Sequence, residues 1–250
     1  MTIEKPAETN NETMLMKITI TRNGPYLVQG SIPLAVQTIV SDSEGGSREW
    51  RESRAFAVKQ EYRLCRCGQS SNKPFCDSTH LKVKFDGTET ATMEPYLEQA
   101  GVFEGAVMDL TDAQAFCASG RFCDPDGGIW NLIEQTDDPD AIAKVKHQSG
   151  HCPSGRLIVW DKATRKPYEP VFEPSLGLVQ DPVAGVSGPI WARGGIAIES
   201  ADGEPYEIRN RVTLCRCGAS NNKPFCDGSH GSVGFTDGLA DDSEAIAGRS

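Results

Sequence analysis

Two stretches of this chain are nearly identical. Leu64–Asp77 reads LCRCGQSSNKPFCD and Leu214–Asp227 reads LCRCGASNNKPFCD, differing only at Gln69/Ala219 and Ser71/Asn221. A histidine follows each copy at the same distance, His80 and His230, so both carry the spacing Cys-x-Cys-x8-Cys-x3-His. No other feature limits the fold as much, because each copy must bend until four donors converge: Cys65, Cys67, Cys76 and His80 in one, Cys215, Cys217, Cys226 and His230 in the other. Three cysteines and one histidine are an accepted structural zinc set. Zinc sites usually begin with a pair of cysteines two to four residues apart, whereas here only Arg66 or Arg216 separates the first two. A [2Fe–2S] centre divides four ligands into one pair per iron, and the copies divide in that way. Spacing therefore favours iron–sulfur and leaves zinc as the alternative.

The longer pattern C-x-C-x2-S-x3-P-x-C-D-G-S-H resembles the signature of the CDGSH (mitoNEET-type) iron–sulfur family. Cys215, Cys217, Ser220, Pro224, Cys226, Asp227, Gly228, Ser229 and His230 match it throughout. The first copy matches at Cys65, Cys67, Ser70, Pro74, Cys76, Asp77 and His80, and departs at Ser78 and Thr79. Glycine tolerates left-handed angles that serine does not, so the departure bears on backbone shape and on how firmly the first cluster is held. The resemblance implies two [2Fe–2S] clusters and two small β units paired about a two-fold axis. One chain with both copies makes that pair internally. The expected fold is α+β and β-rich, a pseudo-two-fold intramolecular dimer that needs no second chain.

The repeat extends past the ligands. Val83 and Phe85 recur as Val233 and Phe235, and NGPYLVQGSIPL (Asn23–Leu34) echoes SGPIWARGGIAI (Ser187–Ile198) at an offset fourteen residues larger. The first copy therefore has a longer connection, around SDSEGGSREWRESR, between its glycine-rich strand and its cysteine loop. KITIT alternates as a strand, and IAIES-ADG-EPYEIRNRV reads as a hairpin about Asp202-Gly203.

Between the copies stands a third set, Cys117, Cys123 and Cys152. C-x5-C followed later by C-P resembles single-cluster [3Fe–4S] ferredoxins and their divergent relatives; Gly120 occupies the position where a four-iron run has its middle ligand. Three cysteines match one thiolate per iron. The alternatives are buried apolar cysteines, zinc completed by His147 or His151, and a four-iron cluster with a non-cysteine ligand or an open iron. WNLIEQ reads as a strand, DDPDAIAKVKHQSG as a helix with Asp138 as N-cap, and LIVW as a further strand, in ferredoxin-like order.

These readings divide the chain into a loose N-terminus (1–14), a first CDGSH unit (15–90), a ferredoxin-like middle segment (91–160), a proline-rich surface connector (161–187), a second CDGSH unit (188–238) and an acidic tail (239–250). With 250 residues, modest apolar content and nine clustered cysteines, metal rather than a large core or a disulfide framework is expected to staple the fold. A net charge of −10 gives nucleic acid no electrostatic support. No leader pattern and no run long enough to span a membrane are apparent, so a reducing bacterial cytosol is the default. Lys73, Lys223, Arg66 and Arg216 lie next to the ligands in sequence and read either as redox-tuning and partner-docking groups or as charge compensation. Asp77 and Asp227 read as caps of the turn that aims each histidine. Neither a dinucleotide-binding glycine fingerprint nor a nucleophile–base arrangement is present. The chain reads as an electron carrier for a redox partner rather than a stand-alone catalyst, with cluster storage, transfer to an apo-acceptor protein or redox sensing as the alternative.

Overall fold

The computed structural model describes residues 16–239. The N-terminus expected to be loose, and all of the acidic tail except the buried Leu239, lie outside those residues.

Each half of the repeat is a three-stranded antiparallel meander that ends at a cysteine loop. In the first half Lys17–Ile20 alternates half-buried and buried residues and turns back through Asn23-Gly24 into Tyr26–Gln29. Tyr26–Gln29 pairs with Glu61–Leu64, which runs directly into Cys65. In the second half Ser175–Asp181, Val186–Arg193 and Arg211–Leu214 repeat the plan and run into Cys215.

The halves then exchange a strand. Leu34–Ser41 leaves the first meander and pairs in parallel with Ser175–Asp181 of the second. Ala197–Glu199, its counterpart in the repeat, leaves the second meander and pairs in parallel with Lys17–Ile20 of the first. The exchange produces one four-stranded and one five-stranded sheet, the extra member being Ser47–Phe56. That strand comes from the longer connection of the first copy, which folds as a hairpin along the sheet edge. A single core joins both sheets, with Ile18, Tyr26, Val28, Leu34, Leu176, Leu178, Ile190, Ile198 and Leu214 in one cluster. Each such side chain contributes about 1.5–3 kcal/mol by leaving water, and each half supplies the wall for the other. The β-rich, internally paired architecture agrees with the expectation from sequence.

The middle segment has its own antiparallel sheet, Gly101–Glu104, Met108–Asp112, Leu157–Asp161 and Pro167–Tyr168 in that order. Two helices, Ile129–Glu134 and Pro139–His151, pack on it around Leu110, Ile133, Val145 and Val159. Asp138 caps the longer helix by accepting from Asp140 N, as its position before Pro139 predicts.

Two expectations are corrected. WNLIEQ is helical rather than extended, because Ile129, Leu132 and Ile133 fall at i, i+3 and i+4 and are buried together. The proline-rich stretch 161–187 is not a surface connector. Its SLGLVQD run is the central strand Ser175–Asp181, buried beyond its first residue, and apolar side chains serve both faces of a strand with neighbours on each side. The second β unit thus begins before residue 188.

Candidate metal centres

Each cysteine loop is closed by the strand that feeds it. Cys65 N donates to Pro74 O (2.8 Å) and Cys76 N to Arg63 O (2.9 Å); Cys215 N and Cys226 N donate to Pro224 O and Thr213 O at 2.8 and 2.9 Å. Ser70 Oγ donates to Phe75 O at 2.7 Å and accepts from Asn72 N at 3.0 Å, and Ser220 does the same with Phe225 and Asn222. Asp77 accepts from Ser71 N (2.8 Å) and Thr79 N (3.0 Å), while Asp227 accepts from Asn221 N and Ser229 N at the same distances. The Ser71 and Thr79 donors hold the Asp77 carboxyl below the usual carboxylate range. Burial opposes ionisation of Asp227, but the Ser229 and Asn221 donors outweigh it. Both aspartates brace the turn before the histidine.

The donors stand in two pairs. Cys65 Sγ and Cys67 Sγ are 3.7 Å apart, as are Cys215 Sγ and Cys217 Sγ. Cys76 Sγ lies 3.4 Å from His80 Nδ1, and Cys226 Sγ 3.4 Å from His230 Nδ1. All these cysteines are free thiols. Metal–thiolate bonds of about 2.3 Å and metal–imidazole bonds of about 2.0–2.1 Å, in tetrahedral array, set S···S near 3.8 Å and S···N near 3.6 Å. Each pair is therefore spaced to share one ion. Among the described residues, no three donors of either quartet come within 4.8 Å of one another. One tetrahedral ion would need all four donors at the closer spacing. Cys65 and Cys215 are pulled down to about 6 by the hydrogen bond to Cys67 or Cys217, which readies one sulfur per loop as thiolate.

Comparison with family models agrees with this geometry. Residues 23–81 and 187–231 match the iron-binding zinc finger CDGSH type, and residues 103–162 match the divergent 4Fe-4S mono-cluster. Both matches support an iron–sulfur protein, with two segments similar to the CDGSH type around one similar to the mono-cluster type. Comparison with curated proteins finds no match.

The two CDGSH loops face each other. A Cβ on Gly68 would meet Cys217 O at 2.5 Å, and one on Gly218 would meet Cys67 O at 2.8 Å. Both glycines have positive φ, and Cys67 and Cys217 line one cleft between the loops together with Lys73.

Their surroundings differ. The second CDGSH loop is held from outside by Tyr26 Oη, which donates to Cys215 O (2.7 Å) and Pro224 O (3.1 Å). Thr90 N and Ala91 N donate to Lys223 O, and Asn222 Nδ2 donates to Ala115 O. Cys226 and His230 are buried, with 2% and 5% of their surface exposed, whereas Cys76 and His80 are only half-buried. Burial pushes the Cys226 thiol up, and burial followed by the nearby Arg216 lowers His230.

The departure at Ser78 does not reshape its turn. Ser78 takes φ 69° and ψ 12°, and Gly228 takes φ 87° and ψ −5°. Serine accepts the left-handed angle because the Asp77 brace fixes the turn around it.

Three of the four cations placed beside the ligands by sequence turn away from any docking surface. Arg66 is buried and donates to Thr21 O and Gly87 O; buried Arg216 donates to Gly188 O and Val179 O and pairs with Asp237. Lys223 Nζ is tied to Ser220 O at 2.6 Å; Lys73 makes the same bond to Ser70 O at 2.7 Å but also borders the inter-loop cleft.

Cys117, Cys123 and Cys152 line one small pocket with Ser119, Arg121, Ser154 and Arg156. Burial pushes the Cys123 thiol up. Arg156, gripped by Asp112 at 2.5 and 2.7 Å, sets a positive charge beside the pocket it lines. Neither His147 nor His151 lines it, so neither completes that cysteine set. The pocket adjoins the second CDGSH loop, because the Cβ that Gly228 lacks would press on Ser119 Oγ and lie 3.4 Å from Cys117 O. Tyr26, Arg156 and Gly228's neighbour Ser119 have no local sequence signal; only tertiary packing brings them to the sites. Among the described residues no helix is long and apolar enough to cross a membrane.

Proposed function

We propose that the chain is a multi-cluster electron carrier, with a [2Fe–2S] centre on each CDGSH loop and a [3Fe–4S] centre on Cys117, Cys123 and Cys152. The observation that carries this reading is contiguity. The Cys67–Gly68 backbone abuts Cys217–Gly218, and the Cys117 carbonyl and Ser119 side chain abut Gly228, so the three ligand sets form an unbroken series. Bound clusters would supply one-electron storage at each position. The protein's part is to hold the donors and control water. Tyr26, Thr90 and Ala115 hold the second loop, whose Cys226 and His230 are buried, and the half-buried Cys76 and His80 of the first loop are the point of exchange with a partner.

Anaerobic protein should contain about seven irons per chain, two in each CDGSH centre and three in the middle one. EPR should give a signal near g = 2 before reduction and [2Fe–2S] signals after dithionite, with relaxation broadening between centres. About eight irons with no oxidised signal would replace the three-iron centre by a four-iron one. About four irons would remove the middle centre and the series with it.

The half-exposed Cys76 and His80 favour one second reading, cluster delivery to an apo-acceptor. His80→Cys decides between the two: it should abolish transfer to an acceptor if delivery is the role, and mainly lower the potential of the first centre if electron transfer is.

A further inference from the structure

Two of the chain's four histidines belong to the CDGSH loops, and the other two meet on one carboxylate. His147 and His151 lie one turn apart on the helix Pro139–His151, with rings stacked at 4.0 Å. Glu49 projects from the inserted strand Ser47–Phe56. Its Oε1 is 3.0 Å from His147 Nε2 and its Oε2 is 3.0 Å from His151 Nε2. Glu49, His147 and His151 bring their ligand atoms within 4.8 Å of one another, the closeness that neither CDGSH quartet has.

The tautomer of His151 gives this contact its meaning. His151 Nδ1 is 2.8 Å from the His147 carbonyl, which can only accept, so Nδ1 carries the proton. His151 Nε2 then faces a Glu49 carboxylate oxygen, so a cation, either a proton on Nε2 or a metal ion, holds the two together. An imidazole oriented by Nδ1–H···O=C, with Nε2 aimed at the ion, is the usual arrangement of a metal-bound histidine. Two histidines at i and i+4 on one helix with a carboxylate from another element form a His2Glu donor set.

The floor of the site is rigid. Phe122 packs on the His151 ring at 5.5 Å, Trp50 stacks against Phe122 at 4.8 Å, and Trp50 Nε1 donates to His151 O at 3.0 Å. The outer side is open, since the Glu49 and His147 side chains are 61% and 39% exposed, which leaves a fourth position to water.

We propose that Glu49, His147 and His151 bind a divalent ion of the zinc class. The ion joins the inserted hairpin of the first CDGSH half to the helix that leads directly into Cys152. Arg48, which reaches Asp126 at 2.5 Å, reinforces the same junction. The site therefore fixes the approach of one middle-pocket cysteine from the opposite side of the chain.

The test uses anaerobic, cluster-loaded full-length protein titrated with zinc chloride by calorimetry, with zinc and iron counted after desalting. One zinc per chain should bind without loss of iron or of visible cluster absorption. Glu49→Gln and His147→Gln should each weaken it by more than about 10-fold, since even outer-shell partners of metal ligands are worth 10–100-fold. Retained cluster absorption in these half-exposed variants certifies their fold. Absence of zinc binding below about 1 mM, equal affinity in the variants, or zinc taken up only as iron departs would each overturn the assignment.

Discussion

Gly228 and Ser119 meet where the second CDGSH loop and the middle segment leave no room for a side chain. Ser78, at the corresponding position of the first loop, holds the same left-handed turn in the open. The glycine of the second motif thus answers to a neighbour, and the serine of the first records that no neighbour presses there.

Exchanging the two residues should therefore have unequal effects. Gly228→Ser forces the middle segment off the second loop and should cost about 1–3 kcal/mol, the usual penalty for overpacking. Ser78→Gly should change stability by no more than about 1 kcal/mol. Urea titrations followed by visible circular dichroism will compare them; equal losses would refute the packing explanation.

Water access should separate the two CDGSH sites in time. With Cys76 and His80 half-buried and Cys226 and His230 sealed, a chelator should bleach the loaded protein in two phases, the fast one belonging to the first loop. His80→Cys should slow the fast phase alone. A single phase for both sites would mean that burial does not govern release.

Tyr26 supports a loop on the far side of the two-fold, and Ile190 stands at its place in the second half. Tyr26→Phe takes the side-chain donor from Cys215 O, while Pro224 O keeps its bond from Cys215 N, and should cost about 1–3 kcal/mol. It should speed the slow bleaching phase and leave the fast one unchanged, which the same chelator experiment reads.

Asp237 pairs with Arg216 inside the second unit, its side chain only 1% exposed. Burial opposes its ionisation, yet Arg216 keeps the carboxyl below the ordinary range. With a depressed native pKa, the stabilisation is complete above the unfolded value near ~3.9 and is lost as pH falls through the native one. Asp237→Asn should cost about 3 kcal/mol at neutral pH. The gap in melting temperature from wild type should stay level down to about pH 4.5 and close below about pH 4. A gap that widens on acidification would contradict the pairing.

The ligands were legible because all four donors of each set lie on one short loop, and local hydrogen bonds such as Asp77 to Thr79 N complete it. The internal pairing was legible because the chain states the unit twice. Which strands change sides was not, since Leu34–Ser41 chooses its parallel partner from a distance of well over a hundred residues. WNLIEQ misled because a short apolar run fits either period until its neighbours are known. Arg66 and Arg216 show another limit: adjacency to a ligand says nothing about where a long side chain ends, and both end in the interior.

The reciprocal strand exchange has a consequence for how such a protein can diversify. In a homodimer built on this plan, every substitution appears at both clusters at once, so neither can be sealed while the other stays open. Covalent tandem duplication lifts that constraint without loosening the pair, because each half still completes the other's sheet. One loop is then free to acquire a lining such as Tyr26 and Ser119 while its twin keeps its exposure, giving two non-equivalent sites from one ancestral design.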